Sequence, residues 1–183
     1  LTLCNAAREP EIGDLIAFLR ACGADIRGEG SLLRIRGGVP LTGARHTVLP
    51  DRMEAATYLA AAAATRGDVT LTNVRPEHLT AVLAALERAG CTLTQQNGSL
   101  RLRCSRLRAA GPIRTAPYDG FPTDAQAPLM AAMAVAEGVT VFEENLFEDR
   151  FRHVPALRAL GAHIHAARRY AVVTGVRELH GAS

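Results

Sequence analysis

One order of segments recurs along the chain, and the recurrence constrains the fold more than composition does. A repeated unit cannot bury its apolar face alone and has to stack on its neighbours. The last copy reads as a helix over "TDAQAPLMAAMAVAEG" (123–138), a strand "VTVFEE" (139–144) and a second helix "RFRHVPALRALG" (150–161), followed by a hairpin of "AHIHAA" (162–167) and "YAVVTGV" (170–176). The middle copy repeats this as "DRMEAATYLAAAAATRG" (51–67), "VTLTNV" (69–74), "PEHLTAVLAALERAG" (76–90), "CTLTQQ" (91–96) and "SLRLRC" (99–104). The N-terminal piece shows only the closing part: "PEIGDLIAFLRACG" (10–23), "ADIRGE" (24–29) and "LLRIRGG" (32–38). Gly23, Gly90 and Gly161 each follow the second helix, as a C′ glycine does, and stand 67 and 71 positions apart.

The two helices of a unit differ in kind. Tyr58 to Ala64 and Leu129 to Ala136 are apolar all round, the pattern of buried inner helices whose alanines allow close approach. Leu79, Val82, Leu83 and Leu86 instead form one stripe, with Glu87 and Arg88 off it, so this helix covers a sheet and faces water. Asn97-Gly98 supplies a hairpin turn. The expected class is α/β: repeated βαβαββ-type units with inner helices surrounded by sheets, an inside-out barrel or prism. The Gly- and Pro-bearing stretch "GGVPLTGARHTVLP" (37–50) marks a boundary between parts of two similar domains, residues 1–46 and 47–183.

Composition narrows the function classes. The chain is 48% hydrophobic but only 4% aromatic, with no Trp, so small aliphatic side chains fill its core. A formal charge of +3 with scattered arginines argues against a nucleic-acid partner. Cys4, Cys22, Cys91 and Cys104 lie far apart without a C-x-x-C pair, which argues against zinc or a disulfide framework and for reduced thiols in the cytoplasm. No apolar run reaches membrane-spanning length. The start at "LTLCNAAREP", without Met, reads as a fragment.

"GFPTDAQAP" (120–128) carries the chemistry. Thr123 or Asp124 at the mouth of an apolar helix suits an N-cap. Asp124 aimed into a cleft would equally serve as a proton acceptor, and spacing alone does not separate the two.

Three stretches together, "LPDRMEAATYLAAAA" (49–63), "RTAPYDGFPTDAQA" (114–127) and "FEDRFRHVPALRALGA" (147–162), with "NAAREPEI" (5–12), resemble the UDP-N-acetylglucosamine 1-carboxyvinyltransferases, a family of enolpyruvyl transferases. The resemblance runs along nearly the whole chain. It implies two similar domains of three repeats each, of which this chain holds the tail of the first and about two units of the second. It implies transfer of the enolpyruvyl group of phosphoenolpyruvate to the 3′-hydroxyl of UDP-N-acetylglucosamine. Phosphate leaves after addition and elimination through a tetrahedral intermediate, without metal or organic cofactor, in the first committed step of peptidoglycan synthesis. It assigns Asp124 as the base that takes the hydroxyl proton, and a helix start can hold such a group while its dipole favours the anion. Leu146, through its backbone, Phe147, packed on the sugar, and Arg150, stabilising charge, are implied to bind substrate. From the residues alone, Leu146 and Phe147 read equally as core, and Arg150 as a partner of Glu148.

Other candidates have plainer readings. Asp51 is a cap or hinge residue. His163 and His165 share a strand face without a third ligand, and the cluster Glu143, Glu144, Glu148 and Asp149 reads as a solvated face. Asp149 stands where the family often has Asn. The family's Lys-Asn pair and reactive-Cys loop fall upstream of this chain and its phosphate-clamping arginines beyond Ser183, so the partner needed is the remainder of the same enzyme chain. Two alternatives remain: the shikimate-pathway enolpyruvyl transferase, and a noncatalytic repeat module.

Overall fold

A computed structural model describes residues 1–182, which divide into two compact units. The first is Leu1–Pro50 together with Pro117–Asp119; the second is Asp51–Ala116 together with the chain from Gly120 onward. In the first unit, β1 (Thr2–Cys4), α1 (Pro10–Ala21), β2 (Asp25–Arg27) and β3 (Leu32–Arg36) follow in order. The strands form an antiparallel sheet ordered β1-β3-β2, with Leu3 opposite Leu33 and Ile26 opposite Ile35. β1 lies in the stretch "LTLCNAAREP", which begins in the style of a strand, but three residues are too short to show an alternation and it is not part of the repeat read from sequence. Cys22, Ile26 and Leu33 are the buried apolar residues here, and α1 buries none of its side chains.

The second unit holds two further copies. α2 (Arg52–Ala64), β4 (Asp68–Thr72), α3 (Thr80–Arg88), β5 (Thr92–Gln96) and β6 (Ser99–Arg103) make the first. β7 (Ile113–Arg114), α4 (Gln126–Met133), β8 (Val139–Glu143), α5 (Val154–Ala159), β9 (His163–Ala167) and β10 (Tyr170–Thr174) make the second. Their sheets run β4-β6-β5 and β7-β8-β10-β9, antiparallel except for the parallel β7–β8 pair. All three sheets therefore place the last strand of a unit between the two strands that precede it. This recurrence bears out the α/β repeat expected from sequence. α5 is shorter than the expected 150–161 because Pro155, which has no amide hydrogen, favours the first helical turn and sets the start there.

The end of the outer helix is the same in every copy. Gly23, Gly90 and Gly161 have φ of 98°, 91° and 95°, a region that L side chains rarely adopt. Each glycine N–H and the one after it donate back into the last turn: Gly90 to Glu87 and Cys91 to Leu86, Gly161 to Arg158 and Ala162 to Leu157, Gly23 to Arg20 and Ala24 to Leu19. This paired arrangement satisfies carbonyls that a helix end would otherwise leave open. It turns the chain directly into the hairpin that follows.

α2 and α4 pack against each other, and the sheets close over them through Leu100 and Leu102 of β6, Phe142 of β8, and Ala171 and Val173 of β10. α4 is enclosed on nearly every side, as expected. α2 is not: Ala55, Ala56, Leu59, Ala60 and Ala63 are buried, while Thr57 and Ala61 are exposed and Tyr58 is 56% exposed. An apolar sequence shows what a helix face tolerates; neighbouring elements decide which faces are covered. α3 buries Val82, Leu83, Ala85 and Leu86 and turns Glu87 and Arg88 outward, matching its stripe. Among the described residues, no helix is long and apolar enough to cross a membrane.

Candidate active site

The residues singled out by the resemblance gather where α4 begins and β8 ends, within the second unit. Asp124 lies in a 3-10 turn, Thr123–Ala125, that leads into α4. No side chain caps either helix start, so the N-cap reading of Asp124 and Thr123 fails. Asp51 does cap: its Oδ1 accepts from the N–H groups of Met53 and Glu54 at 2.7 and 3.2 Å. Asp124 instead accepts from Arg150 Nη2 at 2.5 Å, and its side chain is 65% exposed against 37% for Arg150. The Arg150 guanidinium stands 5.6 Å from the Phe147 ring centroid, so one cation meets both a carboxylate and an aromatic face. Arg150 is thus the partner of Asp124 and not of Glu148.

Beneath this pair sits a residue that sequence reasoning placed in solvent. Glu144 is 2% exposed. Its Oε1 accepts from the N–H groups of Leu146 and Phe147 at 2.9 and 3.1 Å and from the Thr115 hydroxyl at 2.9 Å. Its Oε2 accepts from the Thr123 hydroxyl at 2.9 Å and from Gln126 Nε2 at 2.8 Å. Burial pushes the Glu144 carboxyl up. The donated bonds from Leu146, Thr115, Thr123 and Phe147 overcome that push, leaving it below the ordinary carboxylate value. The signal was present in the sequence: strand alternation puts Thr140, Phe142 and Glu144 on one side, and all three are buried. Glu148 and Asp149 are exposed, as expected, and Glu143 is half-buried, accepting from Arg114 and from the Tyr170 hydroxyl.

The loop after β8 is pinned along its length. Asn145 N–H donates to the Thr115 hydroxyl at 2.8 Å, and Arg169 reaches the Glu144 carbonyl and the Asn145 side chain at 3.1 and 2.8 Å. Because Glu144 occupies the N–H groups of Leu146 and Phe147, any backbone contact that Leu146 offers a ligand has to come from its carbonyl. Behind Arg150, His153 lies 3.2 Å from Met130 Sδ. Burial lowers its pKa and outweighs a hydrogen bond with the Arg150 backbone that raises it, with the charge of Arg150 adding to the lowering, so it stands neutral at neutral pH.

The remaining candidates stay apart from this cluster. His163 and His165 lie exposed on one face of β9, and no group of three or more metal-ligating side chains forms among the described residues. All four cysteines are free thiols. Burial, with Cys104 adjoining, pushes Cys91 up to about 12, so it is no nucleophile at neutral pH.

Comparison with known proteins bears on this arrangement. The family model described as EPSP synthase (3-phosphoshikimate 1-carboxyvinyltransferase) matches residues 1–183. A UDP-N-acetylglucosamine 1-carboxyvinyltransferase of Caldanaerobacter subterraneus subsp. tengcongensis is 48% identical over 179 residues, covering 97% of this chain and 43% of its own length. Its namesake from Gluconacetobacter diazotrophicus is 46% identical over 181 residues, covering 98% of this chain and 43% of its own. The crystal structure of the enolpyruvyl transferase NikO from Streptomyces tendae matches with a TM-score of 0.81 at 25% identity, over 95% of this chain and 42% of that one. An EPSP synthase structure from Acinetobacter baumannii gives a TM-score of 0.58 at 25% identity, over 90% of this chain and 40% of that one. The chain spans between 39% and 43% of the length of such curated relatives.

Proposed function

The chain belongs to the EPSP synthase family of carboxyvinyl transferases, and from that premise we propose that it forms part of an enzyme moving the enolpyruvyl group of phosphoenolpyruvate onto the 3′-hydroxyl of UDP-N-acetylglucosamine. The observation that carries this reading is the Asp124–Arg150–Phe147 cluster, seated beside Leu146 at the mouth of α4. The names printed for its 46–48% identical relatives favour the nucleotide sugar over the shikimate substrate.

In this reading Asp124 takes the proton of the sugar hydroxyl as its oxygen bonds to the central carbon of phosphoenolpyruvate. The carbon–carbon double bond opens, and its methylene carbon takes up a proton to become a methyl group. The tetrahedral adduct then loses one methyl proton as the bond to phosphate breaks, and the double bond re-forms. A positioned base of this kind contributes roughly 10²–10⁴-fold in rate. The Asp124–Arg150 pair is exposed, so little is lost when it opens. Arg150 can then turn toward the anionic substrate and leave the carboxylate free for the hydroxyl. Phe147 offers a flat apolar face to the sugar ring, and the Leu146 carbonyl accepts from it. Residues 1–46 would be the tail of one domain and 47–183 about two units of a second. The uncovered face of α2 and the lack of buried side chains in α1 support that partition. Four free thiols support a cytoplasmic setting.

The test is Asp124→Asn in the full-length enzyme that carries this segment. Asn keeps the shape but is no base, so turnover should fall by roughly 10²–10⁴-fold. Melting temperature, and its rise with UDP-N-acetylglucosamine, should be kept. Near-normal phosphate release would remove the catalytic assignment.

A further inference from the structure

We propose that Glu144 is the positioning residue of this site, holding the turn that carries Asp124 and the loop that carries Leu146, Phe147 and Arg150 at a fixed spacing. The inference rests on the functional reading above and names what sets the geometry of that same site. Glu144 is 2% exposed and does not meet substrate itself, so any effect it has passes through the groups it holds.

Its two oxygens divide the task. Oε2 takes the Thr123 hydroxyl and the Gln126 amide, whose residues bracket Asp124 in sequence. Oε1 takes the N–H groups of Leu146 and Phe147, at the start of the loop that reaches Arg150. The Thr115 hydroxyl, also on Oε1, ties both to the end of β7. Among the described residues, the direct link between turn and loop at the surface is the Asp124–Arg150 pair, and an exposed ion pair is too weak to define a geometry. Five donors converging on one buried carboxylate are strong enough, because charge-assisted bonds in a dry setting are roughly twice as strong as neutral ones. Misplacing a reacting group by 1 Å can cost about 10²-fold in rate.

Severing the faces of the carboxylate separately tests this in the full-length enzyme. Thr123→Val with Gln126→Met removes both donors to Oε2 and keeps the side-chain volumes. It should lower kcat roughly 10–100-fold while KM for the sugar nucleotide stays within about threefold. Glu144→Met severs both faces, so kcat should fall at least as far and KM should rise. Glu144→Gln should recover most of the activity lost in Glu144→Met. Its amide oxygen still accepts from the two backbone N–H groups, while its nitrogen faces a hydroxyl that can rotate and an amide that can flip.

Wild-type kcat in the Thr123→Val/Gln126→Met enzyme would overturn the inference, as would a Glu144→Gln enzyme no more active than Glu144→Met. Should Glu144→Met not fold, the Thr123→Val/Gln126→Met result decides alone. If the wild-type enzyme lacks the transferase activity, the functional reading fails, and hydrogen exchange still judges the positioning role. The Leu146 and Phe147 amides should be protected in wild type and Glu144→Gln. In Glu144→Met they should exchange at least roughly tenfold faster relative to the β8 amides. Equal protection in wild type and Glu144→Met would sink it.

Discussion

Asp51 and Asp124 begin corresponding inner helices and do different work. Asp51 spends its carboxylate on the N–H groups of Met53 and Glu54, whereas Asp124 leaves its helix uncapped and turns to Arg150. The sequence reading allowed a cap at both positions and a carboxylate aimed into a cleft at Asp124; what separates them is the 3-10 turn at Thr123–Ala125, a backbone detail without a compositional mark. Glu144 was legible in principle, through its alternation with Thr140 and Phe142. Its three acidic neighbours and near-neighbours, Glu143, Glu148 and Asp149, made the solvated reading outweigh that pattern, and its partners come from positions as distant as Thr115. The charge of Glu144 has a consequence in acid. Its folded pKa lies below the unfolded one, so its stabilisation is present above the unfolded value, about 4.3 for a free Glu, and is lost as pH falls through the lower, folded value. The melting-temperature gap between wild type and Glu144→Gln should therefore be widest near neutrality and close in acid below that range. Thermal melts across pH would show this; a gap that stays constant would mean that ionisation of Glu144 does not contribute.

At the scale of elements, the repeat announced the outer helices, their glycine ends and the hairpins because each is a local device. Sheet order and helix burial were less visible. β1 carries three residues, and the exposure of Thr57, Tyr58 and Ala61 depends on neighbours that no periodicity describes. Gly175 shows how tightly the elements close. Its N–H donates to the Gly138 carbonyl, and a Cβ built there would lie 1.5 Å from the Ala136 carbonyl oxygen, in the turn that follows α4. Gly175→Ala should destabilise by roughly 1–3 kcal/mol or more, since a backbone carbonyl cannot swing aside as a side chain can. Gly181→Ala, which meets nothing within 4 Å, is the matched control. Denaturant midpoints would read both, and equal midpoints would contradict the close approach at Gly175.

For the whole molecule, the arginines around the candidate site are already engaged: Arg150 with Asp124, Arg152 with Asp149 and Arg169 with the Glu144 carbonyl and Asn145. Of these, Arg150 can leave its exposed pair for a ligand, and one such cation falls short of the several that a phosphoryl and a carboxylate group require together. A preparation of residues 1–183 alone should release no phosphate from phosphoenolpyruvate and UDP-N-acetylglucosamine, whereas the full-length enzyme should. Turnover by the 183-residue chain would show that the site needs nothing further. The shared sheet order has a different consequence, for the growing chain. In each copy the two strands before the last are held apart until the last arrives between them, so neither has a full ladder while the last strand is still in the ribosome. At about 5–20 residues per second, β8 waits several seconds for β10, with only the two residues of β7 to pair with meanwhile. During that interval Val139, Val141 and Phe142 sit on an open strand edge, and translation speed across the hairpin at 163–174 sets how long that edge is offered to other chains.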